Sequence, residues 1–521
     1  MIVSWHWLMR WRIAAAGLLA VVAFAWLAGR FWHPYYGFTK FVQLDEADAR
    51  SGIHEVRENP VFTYPGFNGY DGAAYVQIAF HPLLDSPELQ GAVGNVPYRA
   101  RRILGSALAW AIAGGNPAAI ATTYAALNLG VWLALAAVLW RLLPVTDGRS
   151  YLAWTGVIFS AGALHSVRLA LTDLLAATLI AGALLLAERG RSKIALGIVA
   201  MAGLARETAL AAVAGLWRGP WTATQPWLGN FFRGTLVGLP LLSWMIYVRW
   251  KAGPAPQGFG NFTWPVLGWI EKGSDTLADF VRAPDYHWLN TTTLLALIAL
   301  TAQATYFMRR WRHDNAWWRL GASSVAMMAL LGTSVWEGHP GAATRVLLPM
   351  GIAFAILATR DRAGWTWIAA GSLTIFSGVL ALWKVPADTA ELAAGRSDRG
   401  AYVAQLSTGW YGPERHGNNV WAWSAGRAML TLKTAPRTTA PMRVRLKLRA
   451  ISPREIAIRT GETLLWRGAA GEKPAWIEFD TPVISAGHLT LELHAAAAPV
   501  PENTAADARL LGFAVYGMSV R

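Results

Sequence analysis

Asp71 is the residue whose setting most suggests chemistry. It lies in Gly69-Tyr70-Asp71-Gly72-Ala73-Ala74-Tyr75, between the first long apolar run and the rest of a mostly apolar chain. Acids are scarce, with 31 Asp and Glu among 521 residues. A carboxylate at the edge of lipid can act as a general base, or hold a metal, for a substrate that is half lipid and half polar. Tyr70 and Tyr75 would line the cavity around it. Asp-Gly is also an ordinary turn dipeptide, so a loop turn explains the same residue. Asp45-Glu46 in the same segment is the alternative acid, and it also reads as the start of a solvated helix.

Cations and further acids follow at spacings that matter. Tyr98, Arg99 and Arg102 precede a short apolar segment, 103–113. The planar guanidinium forks of Arg99 and Arg102 suit a phosphate or diphosphate, with Tyr98 beside them, and lipid headgroups would satisfy them equally. Arg206-Glu207-Thr208 interrupts the apolar run 194–216; charges inside such a run either line a polar cavity or pair with one another. Arg345 enters the run 344–359, just after Trp336-Glu337-Gly338-His339-Pro340. Asp173 opens the run 171–187. Asp173, Glu207, Glu337 and His339 are therefore further cavity-lining candidates, and Arg206 and Arg345 further phosphate-binding ones. Trp410, Trp421 and Trp423 could stack on sugar rings, although a core or interfacial place accounts for them too.

Several chemistries are excluded. There is no Cys, hence no disulfide, thiolate nucleophile or Cys-based metal site. The 11 His show no zinc-binding spacing. No Gly-rich phosphate loop and no G-x-S-x-G elbow is present. No metal site is assigned, and the cofactor is left open between none and a divalent cation, Mg or Mn. The net charge of +15 comes without a nucleic-acid module and fits Lys and Arg gathered in cytoplasmic loops, so no nucleic acid is expected as a partner.

The elements that must position these residues are mostly membrane helices. The chain is 54% hydrophobic and 15% charged. Apolar runs at 13–29, 118–140, 151–168, 171–187, 194–216, 229–249, 291–308, 318–335, 344–359 and 364–383 read as spans. Charge bias puts the N-terminus in the cytoplasm. The expected reading is that 194–216 enters and returns near Arg206, giving about eleven crossings with the C-terminus outside; the alternative, a single span there, gives about ten and a cytoplasmic C-terminus. The segments expected are an anchor helix at 1–30, a large first outer loop with interfacial helices at 31–115, and a multi-spanning bundle at 116–385. From 400 to 521 the pattern turns to period two, as in Arg443-Val-Arg-Leu-Lys-Leu-Arg449, which predicts an all-β sandwich, jelly-roll-like, after the α-helical polytopic part.

Together these blocks resemble GT-C class membrane glycosyltransferases, a class that includes the protein O-mannosyltransferase, aminoarabinose transferase and GPI-mannosyltransferase families. The likeness rests on Tyr70-Asp71-Gly72 with Tyr75 and Ile78-Ala79, on Tyr98-Arg99 with Arg102-Ile103-Leu104, on Thr172-Asp173, on Arg206-Glu207-Thr208, and on Arg345 with Leu347-Leu348-Pro349. It covers about residues 13–385. The C-terminal block, Gly409-Trp410-Tyr411-Gly412 through Trp421 and Trp423 to Asp507 and Arg509, resembles sandwich modules attached to bacterial membrane glycosyltransferases. The resemblance implies a polyprenyl-phosphate sugar donor, a glycan, lipid or protein acceptor, an inverting transfer on the periplasmic face of a bacterial inner membrane, and a bilayer as permanent partner. The chain lacks the tight Asp-Glu directly after the first span that marks the mannosyltransferases. A transporter or flippase of lipid-linked saccharides, or a non-catalytic envelope assembly protein, is the alternative.

Overall fold

The computed structural model describes residues 2–66, 69–217, 225–254, 260–282, 284–416, 419–435, 440–484, 487–503 and 508–521. The chain forms two compact units. The first holds Met1–Phe31, Phe38–Arg57 and Val61–Val385; the second holds Trp32–Gly37, Glu58–Pro60 and Pro386–Arg521.

The first unit is helical. Among the described residues, five helices are long and apolar enough to cross a membrane: Trp11–Gly29, Pro117–Leu142, Leu228–Ala252, His287–Arg309 and Trp365–Trp383. That is the signature of a multi-pass membrane chain. The other expected spans are shorter or interrupted, and the interruptions have local causes. The run 151–168 divides into Gly148–Ile158 and Ala161–Arg168. Between them Ser160 accepts the Ala163 N–H at 3.2 Å and so caps a new helix. The run 194–216 is a helix, Ser192–Ala205, then an extended Arg206, then a 3-10 run, Glu207–Leu216, packed against that helix. A Cβ at Gly203 would stand 2.7 Å from the Leu210 side chain, so the two arms meet closely. The buried guanidinium of Arg319 holds the far end, donating to the carbonyls of Ala214, Gly215 and Trp217.

Between residues 39 and 112 the helices are short. Ile103–Ile112 buries Ile103, Leu104, Ser106 and Ala109 against the bundle and exposes Trp110 and Ile112. The helix Asp71–Phe80 is buried at every position from Gly72 to Phe80. An apolar helix of this kind belongs inside a larger body. It packs against Ile103–Ile112 and Pro117–Leu142.

The second unit is a two-sheet antiparallel sandwich. One sheet has six strands in the spatial order Thr463–Ala470, Arg454–Thr460, His488–Ala495, Arg427–Ala435, Gly400–Leu406, Glu391–Ser397. The other has five, in the order Ala475–Asp480, Arg443–Ala450, Phe513–Val520, Asn419–Ser424, Glu414–His416. Alternation places Val444, Leu446 and Leu448 in one core with Ile456, Ile458, Leu430, Leu491, Leu493 and Phe513.

Candidate functional site

The first unit gathers its scarce acids with arginines around the start of the Asp71–Phe80 helix. Asp71 is the first helical residue and Tyr70 its N-cap. A carboxylate there faces the positive end of the helix dipole. The helix start is fixed by a close backbone approach: a Cβ on Gly72 would lie 2.4 Å from the Leu169 carbonyl oxygen and 2.8 Å from that of Val42. Lower in the helix, Gln77 accepts the Ile53 N–H at 3.1 Å and donates to the Ala92 carbonyl at 3.2 Å. These contacts tie the helix to the loops on either side.

Arg99, Arg102 and Arg345 converge on this turn, and Arg206 joins them through Asp173. Arg99 Nε donates to Asp71 Oδ1 at 3.3 Å, and both side chains are about one-third exposed. Arg102 donates to Tyr75 Oη at 2.9 Å, to Glu207 Oε2 at 3.0 Å and to Tyr98 Oη at 3.1 Å. Burial pushes the Tyr75 hydroxyl well above its ordinary range, even with the Arg102 cation beside it, so it stays a neutral hydrogen-bonding group. Arg345 donates to Tyr70 Oη at 2.8 Å and lies over the Tyr70 ring. Arg206 donates to Asp173 Oδ1, and Arg345 Nε stands 4.0 Å from Asp173 Oδ2.

Arg206 and Arg345 thus bracket a single carboxylate, two cations to one anion. Asp173 and Arg345 are buried. The Nε atoms of Arg206 and Arg345 are buried too, and neither makes a hydrogen bond among the described residues. Buried donors without partners are costly, which makes this pair of arginines a candidate place for an acceptor. The small cavity between them, about 20 Å³, is lined by Asp173, Arg206, Thr208, Ser324 and Arg345.

An open cleft of about 530 Å³ lies on the other side of the turn, lined by Asp45, Asp48, Gly69, Tyr70, Asp71, Gln77 and Arg99. Asp45 is committed to the backbone: its Oδ1 accepts the Asp48 N–H at 2.6 Å and its Oδ2 the Gly69 N–H at 2.7 Å. Burial raises its pKa, but these N–H groups outweigh it and hold the carboxyl below its ordinary value. Glu46 is exposed and pairs with Arg50 at 3.6 Å, one helical turn on. Asp48, which sequence reasoning passed over, also faces the cleft. Burial, then the Asp45 charge, push its carboxyl upward, and Arg99 draws it partly back. Its one signal in the sequence is its place three residues after the helix-capping Asp45.

Other candidates lie apart from this turn. Glu337 and His339 are exposed, and the His339 imidazole bonds Thr293 Oγ1 at 3.0 Å, while Gly338 accepts from Lys272 Nζ at 2.8 Å. In the second unit Trp423 is buried with Leu511 and Ala514, and the Arg449 guanidinium covers its ring. Trp410 donates to the Met429 carbonyl at 2.6 Å and meets Phe513 edge-on. Trp421 donates to Glu414 Oε2 at 2.8 Å and stacks on Tyr516. Asp507 lies outside the described residues. Among the described residues no group of three or more His, Cys, Asp or Glu is placed to hold a metal ion.

No family model matches the chain, and no curated protein matches it. Distant likenesses to solved structures exist. The sandwich is similar to the family 29 carbohydrate-binding module CBM29-2, at 10% identity over 25% of this chain and 86% of the module, with a TM-score of 0.16. It is similar to TmCBM61, solved with β-1,4-galactotriose, at 9% identity over 23% of this chain and 87% of that one, with a TM-score of 0.15. Over 87% of its length the chain is distantly similar to the arabinosyltransferase EmbB of Mycobacterium smegmatis, at 11% identity and a TM-score of 0.31, spanning 64% of that protein. At such scores these likenesses transfer neither an activity nor a ligand to this chain.

Proposed function

We propose that the chain is a GT-C type membrane glycosyltransferase. It moves a sugar from a polyprenyl-phosphate donor to an acceptor hydroxyl on the outer face of the membrane, with inversion. One observation supports this reading: an accessible acid, Asp71, lies with Arg99, Arg102 and Arg345 around one turn, and Arg345 and Arg206 bear buried donors that lack acceptors among the described residues. The acceptor oxygen attacks the anomeric carbon, the bond from that carbon to the phosphate oxygen breaks, and the hydroxyl proton passes to Asp71. The leaving phosphate is already a stable anion and needs cations rather than a general acid. Arg206 and Arg345 are the groups that meet it, with Arg99 and Arg102 nearer the sugar. The open cleft beside Asp48 and Asp71 takes the polar acceptor.

The extended break at Arg206 also suits a transporter of a lipid-linked saccharide, since interrupted helices line transport sites. Reconstituted protein separates the two. Asp71→Asn should keep its fold while transfer from a polyprenyl-phosphate sugar falls by roughly 10²–10⁴-fold, the usual weight of a general base. Transfer at the wild-type rate would remove Asp71 from the mechanism. Lipid-linked sugar crossing the bilayer with no glycosylated product would favour the transporter.

A further inference from the structure

Three sets of residues mark the helix Leu267–Arg282. Gly268 and Thr276 face the protein; a Cβ on Gly268 would stand 2.4 Å from the Leu331 carbonyl oxygen and 2.9 Å from the Trp336 ring. Glu271, Lys272, Asp275, Asp279 and Arg282 share that side, spread over roughly 100° around Gly268, and Lys272 Nζ donates to the Gly338 carbonyl. The third set holds Leu267, Ile270, Ser274, Leu277 and Val281, which fall within roughly 80° of one another at the helical repeat. Nothing described covers that arc: Ile270 is 55% exposed, Leu277 58% and Val281 85%. Just before the helix, Phe262 and Trp264 are exposed as well, Trp264 at 80%.

Five ionisable residues in 16 make this helix too charged and too short to cross a bilayer. It is nonetheless continuous with a crossing helix: the turn Pro284–Tyr286 leads directly into His287–Arg309, which is long and apolar enough to span. Tyr286 and Trp288, both exposed, stand at that junction. Trp and Tyr at the end of a span mark the level of the lipid headgroups. A helix at that level, with its charged residues on the side of its protein contacts and an apolar arc on the opposite side, is in the geometry of an interfacial helix, its apolar arc among the acyl chains.

We infer that Leu267–Arg282 lies in the membrane interface, with Ile270, Leu277, Val281 and the neighbouring Trp264 inserted at the headgroup–acyl boundary. This holds whether or not the chain transfers sugars. The absence of Cys makes the test clean, because a single introduced cysteine gives a single spin label. The full chain is reconstituted in phosphatidylethanolamine–phosphatidylglycerol vesicles carrying Leu277→Cys, Val281→Cys, Asp275→Cys or Asp279→Cys. Collision with oxygen relative to a water-soluble nickel chelate should be several-fold higher at 277 and 281 than at 275 and 279. Equal, water-like accessibility at all four positions overturns the inference. So do immobilised labels at 277 and 281 whose dipolar broadening disappears on dilution with unlabelled chain, the result expected of pairing between two copies. Ile270→Cys repeats the apolar measurement if either label perturbs folding.

Discussion

The arginine cluster around Asp71 and the tryptophan cluster of the sandwich both attract notice for the same reason: each concentrates residue types used to bind sugars and phosphates. Their surroundings differ. In the sandwich every partner comes from within. Trp410 and Trp421 donate their indole N–H groups to Met429 and Glu414, and Trp423 is roofed by Arg449. Around Asp71 four arginines share three carboxylates, Asp71, Asp173 and Glu207, and the Nε atoms of Arg206 and Arg345 make no hydrogen bond among the described residues. Composition alone treats the two clusters alike. Unfilled hydrogen-bonding capacity sets Arg206 and Arg345 apart from these three tryptophans.

That contrast can be broken by mutation. The largest effect is expected in the sandwich, as pure stability. Trp423→Ala removes a buried indole and should cost about 3–5 kcal/mol of unfolding free energy, measured by denaturant titration, while transfer by the protein that stays folded is unchanged. A loss of transfer with unchanged stability would instead make the sandwich a binding surface. Next is Arg345→Gln, which removes one of the two cations beside Asp173. It should lower kcat/KM for a polyprenyl-phosphate donor by about 10²-fold, with Arg345→Lys recovering part of it, in a steady-state transfer assay. Equal rates for wild type and both variants would show that the unmet donors do not serve the donor phosphate. The smallest effect belongs to the competing acid. Asp45→Ala deletes a helix cap and should cost about 0.5–2 kcal/mol in thermal unfolding, yet leave transfer intact. An activity loss there as deep as that of Asp71→Asn would move the catalytic role to Asp45.

Much of this arrangement was legible in the sequence because charge is expensive in an apolar chain. Arg206, Glu207, Asp173 and Arg345 stood out against their neighbours, and the structure brings all four within reach of the Asp71 helix or its partners. The period-two run from Arg443 to Arg449 likewise forms a strand with alternating burial. What hydropathy hides is interruption. A hydroxyl such as that of Ser160 scarcely changes the apolarity of a run, yet it starts a new helix. Asp48 was invisible because its importance comes from a cleft made by residues far along the chain, Gly91 to Arg99. Glu337 and His339 were grouped with Asp71 by chemistry alone, whereas the fold turns them toward Thr293 and solvent. The strands Glu391–Ser397 and Gly400–Leu406 contain Ala, Gly and a charge pair in place of clean alternation, which blurs where the sandwich begins.

The tight seat of Gly72 bears on more than packing. The residue beside the candidate base has no room for even one methyl group, because two main-chain oxygens from separate segments press on it. Position 72 therefore behaves as a gauge of alignment. Any larger residue there must lift the first turn of the helix off Leu169 and Val42, carrying the carboxylate of Asp71 away from Arg99 without touching a charged group. The precision of the whole cluster rests on a side chain that is not there.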